Sequence, residues 1–115
     1  LLAIRLQHYG ADVITAASVE AAMEILAQQG LLPDLIVSDI AMPGEDGYNL
    51  MRRVRALDPE AGGRIPAIAV TAYSRTKDRV QALAAGFQMH VPKPVNAAEL
   101  AHAITSIIGR FNHYQ

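Results

Sequence analysis

The chain contains no cysteine. Disulfides and thiolate metal sites are therefore excluded, and a reducing, cytoplasmic setting is compatible with the composition. It also lacks an excess of either charge: ten basic and eleven acidic residues leave a net charge of −1. Nothing electrostatic points to nucleic acid or to an anionic membrane as a partner. No apolar run approaches the roughly 18 residues that span a bilayer. The opening Leu1-Leu2-Ala3-Ile4-Arg5-Leu6 lacks the basic flank and cleavage site of a signal peptide. Internal repeats, low-complexity tracts and linkers are missing too. What is present is a globular composition, 51% apolar and 18% charged over 115 residues, read as one domain over residues 1–115.

The central stretch is Leu35-Ile36-Val37-Ser38-Asp39 followed by Ile40-Ala41-Met42-Pro43-Gly44-Glu45-Asp46-Gly47. Apolar and small residues run to a carboxylate without alternation, which is how a strand buried on both faces of a parallel sheet reads. Asp39 then lies at the carboxyl end of that strand, where open α/β sheets place their ligand chemistry. A loop-capping role is the plainer reading of an Asp at a strand end. On this stretch alone the two readings stand even.

Upstream, Leu2, Leu6 and Tyr9 recur at helical spacing and Gly10 stands where a helix C-cap prefers it. The spacing predicts a chain that opens inside a helix, with preceding material missing. Residues 12–17 form a β-branched run and predict a strand. Ser18 caps the next helix, with Glu20 in its first turn and a stripe of Ala22, Met23, Ile25 and Leu26. After Gly47, Leu50, Met51, Val54 and Leu57 supply a buried helical face, and Arg52, Arg53 and Arg55 are placed mostly outward as a solvated face. Residues 58–63 form a loop before the continuous apolar strand Ala67–Thr71. A weaker helix from about Thr76 has Val80, Leu83 and Ala84 inward and Gly86 as its stop. Residues 87–91 are the last strand. Asn96 and Glu99 then have the spacing of a capping box before a helix whose stripe is Leu100, Ile104, Ile107, Ile108 and Phe111. Strict alternation of helix and strand implies a doubly wound parallel sheet with helices on both faces.

In such a sheet the carboxyl ends of all strands share one edge, so Asp39, Thr71 and Lys93 gather there. A carboxylate, a hydroxyl and an ammonium in one crevice suit phosphoryl chemistry: the carboxylate as nucleophile, the other two as holders of the phosphoryl oxygens. Taken singly, Thr71 reads as an ordinary β-branched strand end and Lys93 as a solvated loop charge. Their convergence shifts the balance.

Residues 33–47, Ile65-Pro66 with Val70-Thr71-Ala72, Ala85-Gly86 and Lys93-Pro94, in this order and spacing, resemble the response-regulator receiver domain of two-component signalling, a flavodoxin-like (CheY-like) α/β fold. The similarity covers essentially the whole chain. It implies that Asp39 is the phospho-acceptor, supplied through Mg²⁺ by a histidine kinase or phosphotransfer protein. It implies Thr71, with Ala72 beside it, as the phosphoryl-binding switch segment and Lys93 as its ionic partner, followed by a cis Lys93–Pro94 bond. The Ala41 carbonyl becomes a metal ligand, Tyr73 a gate to the acceptor, and His90 takes the place of the family's rotating aromatic ring. A surface residue of the last strand is an equal reading of His90.

The family's first strand, central in its sheet and ending in an acidic pair that holds Mg²⁺ with the acceptor, has no counterpart here. The first acidic residue is Asp12. The resemblance therefore predicts a sheet missing its middle, with two unpaired edges that invite association, and a thin metal site of Asp39 and the Ala41 carbonyl. A homodimer through that open sheet, or through the fourth and fifth helices of the predicted order, follows, with no nucleic-acid or membrane contact. Two rivals stand beside the receiver reading. A haloacid-dehalogenase-like phosphatase needs a second Asp two residues after the nucleophile, where this chain has Ala41. A phosphate-independent interaction domain would keep the fold without the chemistry.

Overall fold

The computed structural model describes residues 2–7, 10–28, 32–40, 46–72 and 76–111. Its elements in order are β1 (Leu2–Gln7), β2 (Gly10–Thr15), α1 (Val19–Ala27), β3 (Leu35–Asp39), α2 (Gly47–Arg55), a 3-10 turn at Pro59–Ala61, β4 (Ala67–Thr71), α3 (Thr76–Ala85), β5 (Met89–Pro92) and α4 (Ala97–Phe111). The five strands form one sheet in the order β2-β1-β3-β4-β5. Strands β3, β4 and β5 run parallel, with Asp39 opposite Val70 and Thr71 opposite Pro92.

The opening helix is not formed. Residues Leu2–Gln7 are a strand, antiparallel both to β2, from Leu2↔Thr15 to Gln7↔Gly10, and to β3, from Leu2↔Val37 to Ile4↔Leu35. Leu2, Ile4 and Leu6 alternate with Ala3, Arg5 and Gln7, so the same six residues carry a period-two pattern beside the helical one, and so short a window does not separate them. Tertiary context decides. A break between β2 and β3 would leave two rows of backbone donors and acceptors unpaired, and a strand entered between them satisfies both. The expected gap is thus closed, and the sheet is mixed rather than wholly parallel.

Helices cover both faces. On one, Ile36, Ala67 and Ala69 meet Val19, Ala22 and Leu26 of α1 and Leu50, Met51 and Val54 of α2. On the other, Leu35, Val37, Ile68 and Val70 meet Ala103 and Ile107 of α4. Leu50, Met51 and Val54 are fully buried, each worth about 1.5–3 kcal/mol relative to exposure. The helix starts are capped as their residue types imply. Ser18 Oγ accepts from the Ala21 N–H at 3.1 Å, Asp46 Oδ1 from the Asn49 N–H at 2.9 Å, and Asn96 Oδ1 from the Ala98 and Glu99 N–H groups at 2.8 and 3.2 Å.

Two side-chain expectations are corrected. In α3, Val80 and Leu83 are 59% and 54% exposed and Ala84 is exposed as well, whereas Ala82 and Ala85 are buried. The helix is phased on its alanines, because a face built of small side chains permits close approach to its neighbours. Arg55, placed outward by its charge, is half-buried and bonded to main-chain carbonyls. A long side chain can bury its stem and still satisfy its head. The strands predicted at 12–17 and 87–91 are shifted to Gly10–Thr15 and Met89–Pro92.

Candidate functional site

Three parallel strand ends and the turns after them build the site. Buried β3 delivers Asp39 to the edge of the sheet, where its carboxylate emerges half-buried. The chain is held there by the Ile40 N–H donating to the Val70 carbonyl at 3.0 Å and the Gly47 N–H donating to the Ile40 carbonyl at 2.8 Å. Gly47 has no room for a side chain: a Cβ there would stand 2.6 Å from the Asp39 carbonyl oxygen. The glycine lets the first turn of α2 press against the end of β3, with Asp46 as its cap.

Thr71, 6% exposed, ends β4 in the neighbouring position, and its carbonyl accepts from the Lys93 N–H at 2.8 Å. The Lys93–Pro94 bond is cis. From this turn the Lys93 ammonium reaches Asp39 Oδ2 at 2.7 Å. The other carboxylate oxygen, Oδ1, is buried and has no hydrogen-bond partner among the described residues. Asp39 and Lys93 are therefore brought into direct contact, with Thr71 on the strand between them. Ala72 follows on the exposed side of the turn. His90 pairs with Ala69 in β5 and lines an open groove of about 370 Å³ with Glu99 and His102 of α4. Ala41 and Tyr73 lie outside the described residues.

Two neighbouring polar residues were not singled out by sequence reasoning. The Tyr48 phenol is buried in the first turn of α2, and its pKa is pushed up by burial, then by the nearby charges of Asp78 and Asp46. Asp78 Oδ2, in the first turn of α3, is buried with no hydrogen-bond partner among the described residues. The signal that would have found Tyr48 is its stripe: Tyr48, Met51 and Arg55 share one face at i, i+3 and i+7.

A carboxylate with an ammonium on one oxygen and no partner among the described residues on the other can act as a nucleophile, and the ammonium can then follow the new negative charge. That second oxygen is what a hard cation such as Mg²⁺ would take. The remaining donors fit less well. Among the described residues no group of three or more His, Asp or Glu side chains could hold a metal ion. The acidic pair that the receiver resemblance calls for is not found in β1, which lies between β2 and β3 and carries no carboxylate.

Comparison with known proteins agrees with this geometry. The chain is 43% identical over 104 residues to an uncharacterized 14.6 kDa protein of Leptolyngbya boryana, covering 90% of this chain and 76% of that one. It is 37% identical over 109 residues to the transcriptional regulatory protein AfsQ1 of Streptomyces coelicolor, covering 95% of this chain but 45% of the regulator. Among solved structures, it superposes with a TM-score of 0.67 and 35% identity on the receiver domain of a sensor histidine kinase from Pseudomonas aeruginosa, covering 82% of this chain and 74% of that one. That receiver was crystallised with a magnesium ion coordinated in its active-site cleft. The family model described as the response regulator receiver domain matches residues 1–105. With its flavodoxin-like sheet and that match over nearly its full length, the chain belongs to the response regulator receiver domain family.

Proposed function

We propose that Asp39 is the phospho-acceptor of this receiver domain, taking a phosphoryl group from a phosphohistidine on a histidine kinase or phosphotransfer protein. The observation that carries this reading is the divided carboxylate, one oxygen on the Lys93 ammonium at 2.7 Å and the other buried with no hydrogen-bond partner among the described residues. A carboxylate oxygen attacks phosphorus in line, the new acyl-phosphate O–P bond forms, and the P–N bond to the donor imidazole breaks. The leaving imidazole nitrogen takes up a proton. Lys93 then balances the added charge, and the Thr71 hydroxyl supplies a hydrogen bond to a phosphoryl oxygen. Bound Mg²⁺ would neutralise phosphoryl charge beside Asp39, although the described residues offer it few ligands.

Receiver domains are signalling phosphoacceptors, and this chain acts as one rather than as a turnover enzyme in our reading. Its output is a two-state shift of Thr71, His90 and the surfaces of α3 and α4. Those helices are also the route for self-association, since β1 fills the sheet gap that would have invited a second copy. A cytoplasmic location accords with these partners, and no helix among the described residues is long and apolar enough to cross a membrane.

The test is incubation with Mg²⁺ and a small acyl-phosphate donor, followed by intact mass. One phosphoryl group is expected on the protein and none on Asp39→Asn. Labelling of Asp39→Asn would place the acceptor elsewhere. The scarcity of metal ligands among the described residues favours one second reading, a phosphate-independent interaction domain. An amide spectrum unmoved by Mg²⁺ with beryllofluoride would support it.

A further inference from the structure

Helix α3 is held very differently at its two ends. At its far end, from the last residue of α2, the Arg55 guanidinium donates twice to the Gly86 carbonyl, from Nε at 3.1 Å and Nη2 at 2.7 Å. It donates once to the Gly63 carbonyl, from Nη1 at 3.2 Å, and once to Gln88 Oε1, from Nη2 at 3.3 Å. Gln88 Oε1 in turn accepts from the N–H of Ala67, the first residue of β4, at 2.7 Å. One planar fork thus ties the end of α3 to α2, to the loop before β4 and, through Gln88, to β4 itself.

The contact is built closely. Gly86 has φ +115, and a Cβ there would stand 2.8 Å from Arg55 Cγ, so glycine serves both the left-handed turn and the approach of the arginine stem. A cation at a helix C-terminus also complements the helix dipole. Half-buried, the guanidinium has its pKa pushed down by desolvation. It keeps its charge nonetheless and needs these acceptors in place of water.

Among the described residues the rest of α3 has no comparable hold. Only Ala82 and Ala85 are buried among residues 78–85, while Val80 and Leu83 spend their apolar area on solvent. In the first turn, Asp78 Oδ2 is buried without a hydrogen-bond partner among the described residues, its charge set against the Tyr48 phenol. A buried, unsatisfied carboxylate oxygen weakens that end. It is also the end nearest the site, because β4 finishes at Thr71 and α3 begins at Thr76.

We infer that Arg55 is the positioning residue that makes α3 a lever, pinned at Gly86 and free to swing at its Thr76 end. The signalling use of that lever rests on the acceptor reading of Asp39, whereas the pinning does not. Removal of the fork should leave the acceptor chemistry in place and let the whole helix move instead of one end.

Hydrogen exchange on the full chain, with Arg55→Met and Arg55→Lys beside the parent protein, tests this. In the parent, amides 84–87 are expected to exchange about tenfold or more slowly than amides 80–82. In Arg55→Met that gradient disappears, while β4 amides 68–70 change less than about twofold, which separates loss of the pin from loss of the fold. Arg55→Lys restores part of the gradient, since a compact ammonium lacks the planar fork that spans the three acceptors. With Mg²⁺ and an acyl-phosphate donor, the change in the parent is confined to the Thr76 end and spreads through α3 in Arg55→Met. An unchanged gradient in Arg55→Met, or an equal acceleration of α3 and β4, overturns the proposal. Absence of any donor response in the parent removes the acceptor reading instead, and the resting gradient still decides the pinning.

Discussion

The Lys93 ammonium lies 2.7 Å from Asp39 Oδ2, although Lys93 belongs to the turn after β5 and Asp39 to the end of β3, with β4 between them. Both side chains are about one-third exposed, 37% and 35%, so the pair contributes little to stability, on the order of 0–1 kcal/mol. Its value is in chemistry. Lys93→Met is expected to shift the urea midpoint only slightly. It should also slow phosphoryl uptake by about ten- to a hundredfold, as loss of one charge-assisted hydrogen bond of ~1.5–3 kcal/mol implies. Uptake at the parent rate would show that Lys93 is a bystander.

Gly47 is expected to be irreplaceable for a steric reason. In Gly47→Ala the new methyl meets the Asp39 carbonyl oxygen at 2.6 Å, and either α2 or β3 must shift. The expected cost is about 1–3 kcal/mol, read from chemical denaturation, with the amide shifts of Asp39 and Ile40 displaced. A variant of parent stability with unmoved shifts would mean that the contact is easily relieved.

Tyr48 sets a pH dependence at the alkaline side. Burial, then Asp78 and Asp46, raises its folded pKa above that of the unfolded chain. The folded state therefore holds the phenolic proton where the unfolded state releases it. The contribution is fully present below the unfolded value of about 10 and is lost as pH rises through the folded value. Stability should fall from about pH 10 upward, and Tyr48→Phe should flatten that part of the profile. A profile unchanged by the substitution assigns the alkaline loss to other groups.

The place of β1 can be tested by proline. Ala3 pairs with Ile14 on one side and Ile36 on the other, and a central strand does not accept proline, whereas the first turn of a helix does. Ala3→Pro is expected to speed exchange of the β3 amides near Ile36 and to promote self-association through the opened sheet, read by light scattering. Indifference to the substitution would return the segment to the helical reading.

Much of this protein is legible in one dimension. The run Leu35–Asp39 reads as a doubly buried strand, Ser18 and Asn96 as helix caps, and the spacing of Asp39, Thr71 and Lys93 as one site, because strand burial, capping and strand-end placement are local consequences of residue type and order. Three things were settled only when the chain closed on itself. Leu2–Gln7 became a strand because the sheet offered two rows of unpaired backbone groups, a demand that no six-residue window contains. Helix α3 turned Ala82 and Ala85 inward, leaving Val80 and Leu83 in water, because its neighbours chose the face. Arg55 went to the Gly63 and Gly86 carbonyls because α2, the loop and the end of α3 meet there, and buried acceptors recruit whatever donor can reach them. Sequence determined which residues could carry the chemistry, and tertiary structure decided which of them touch.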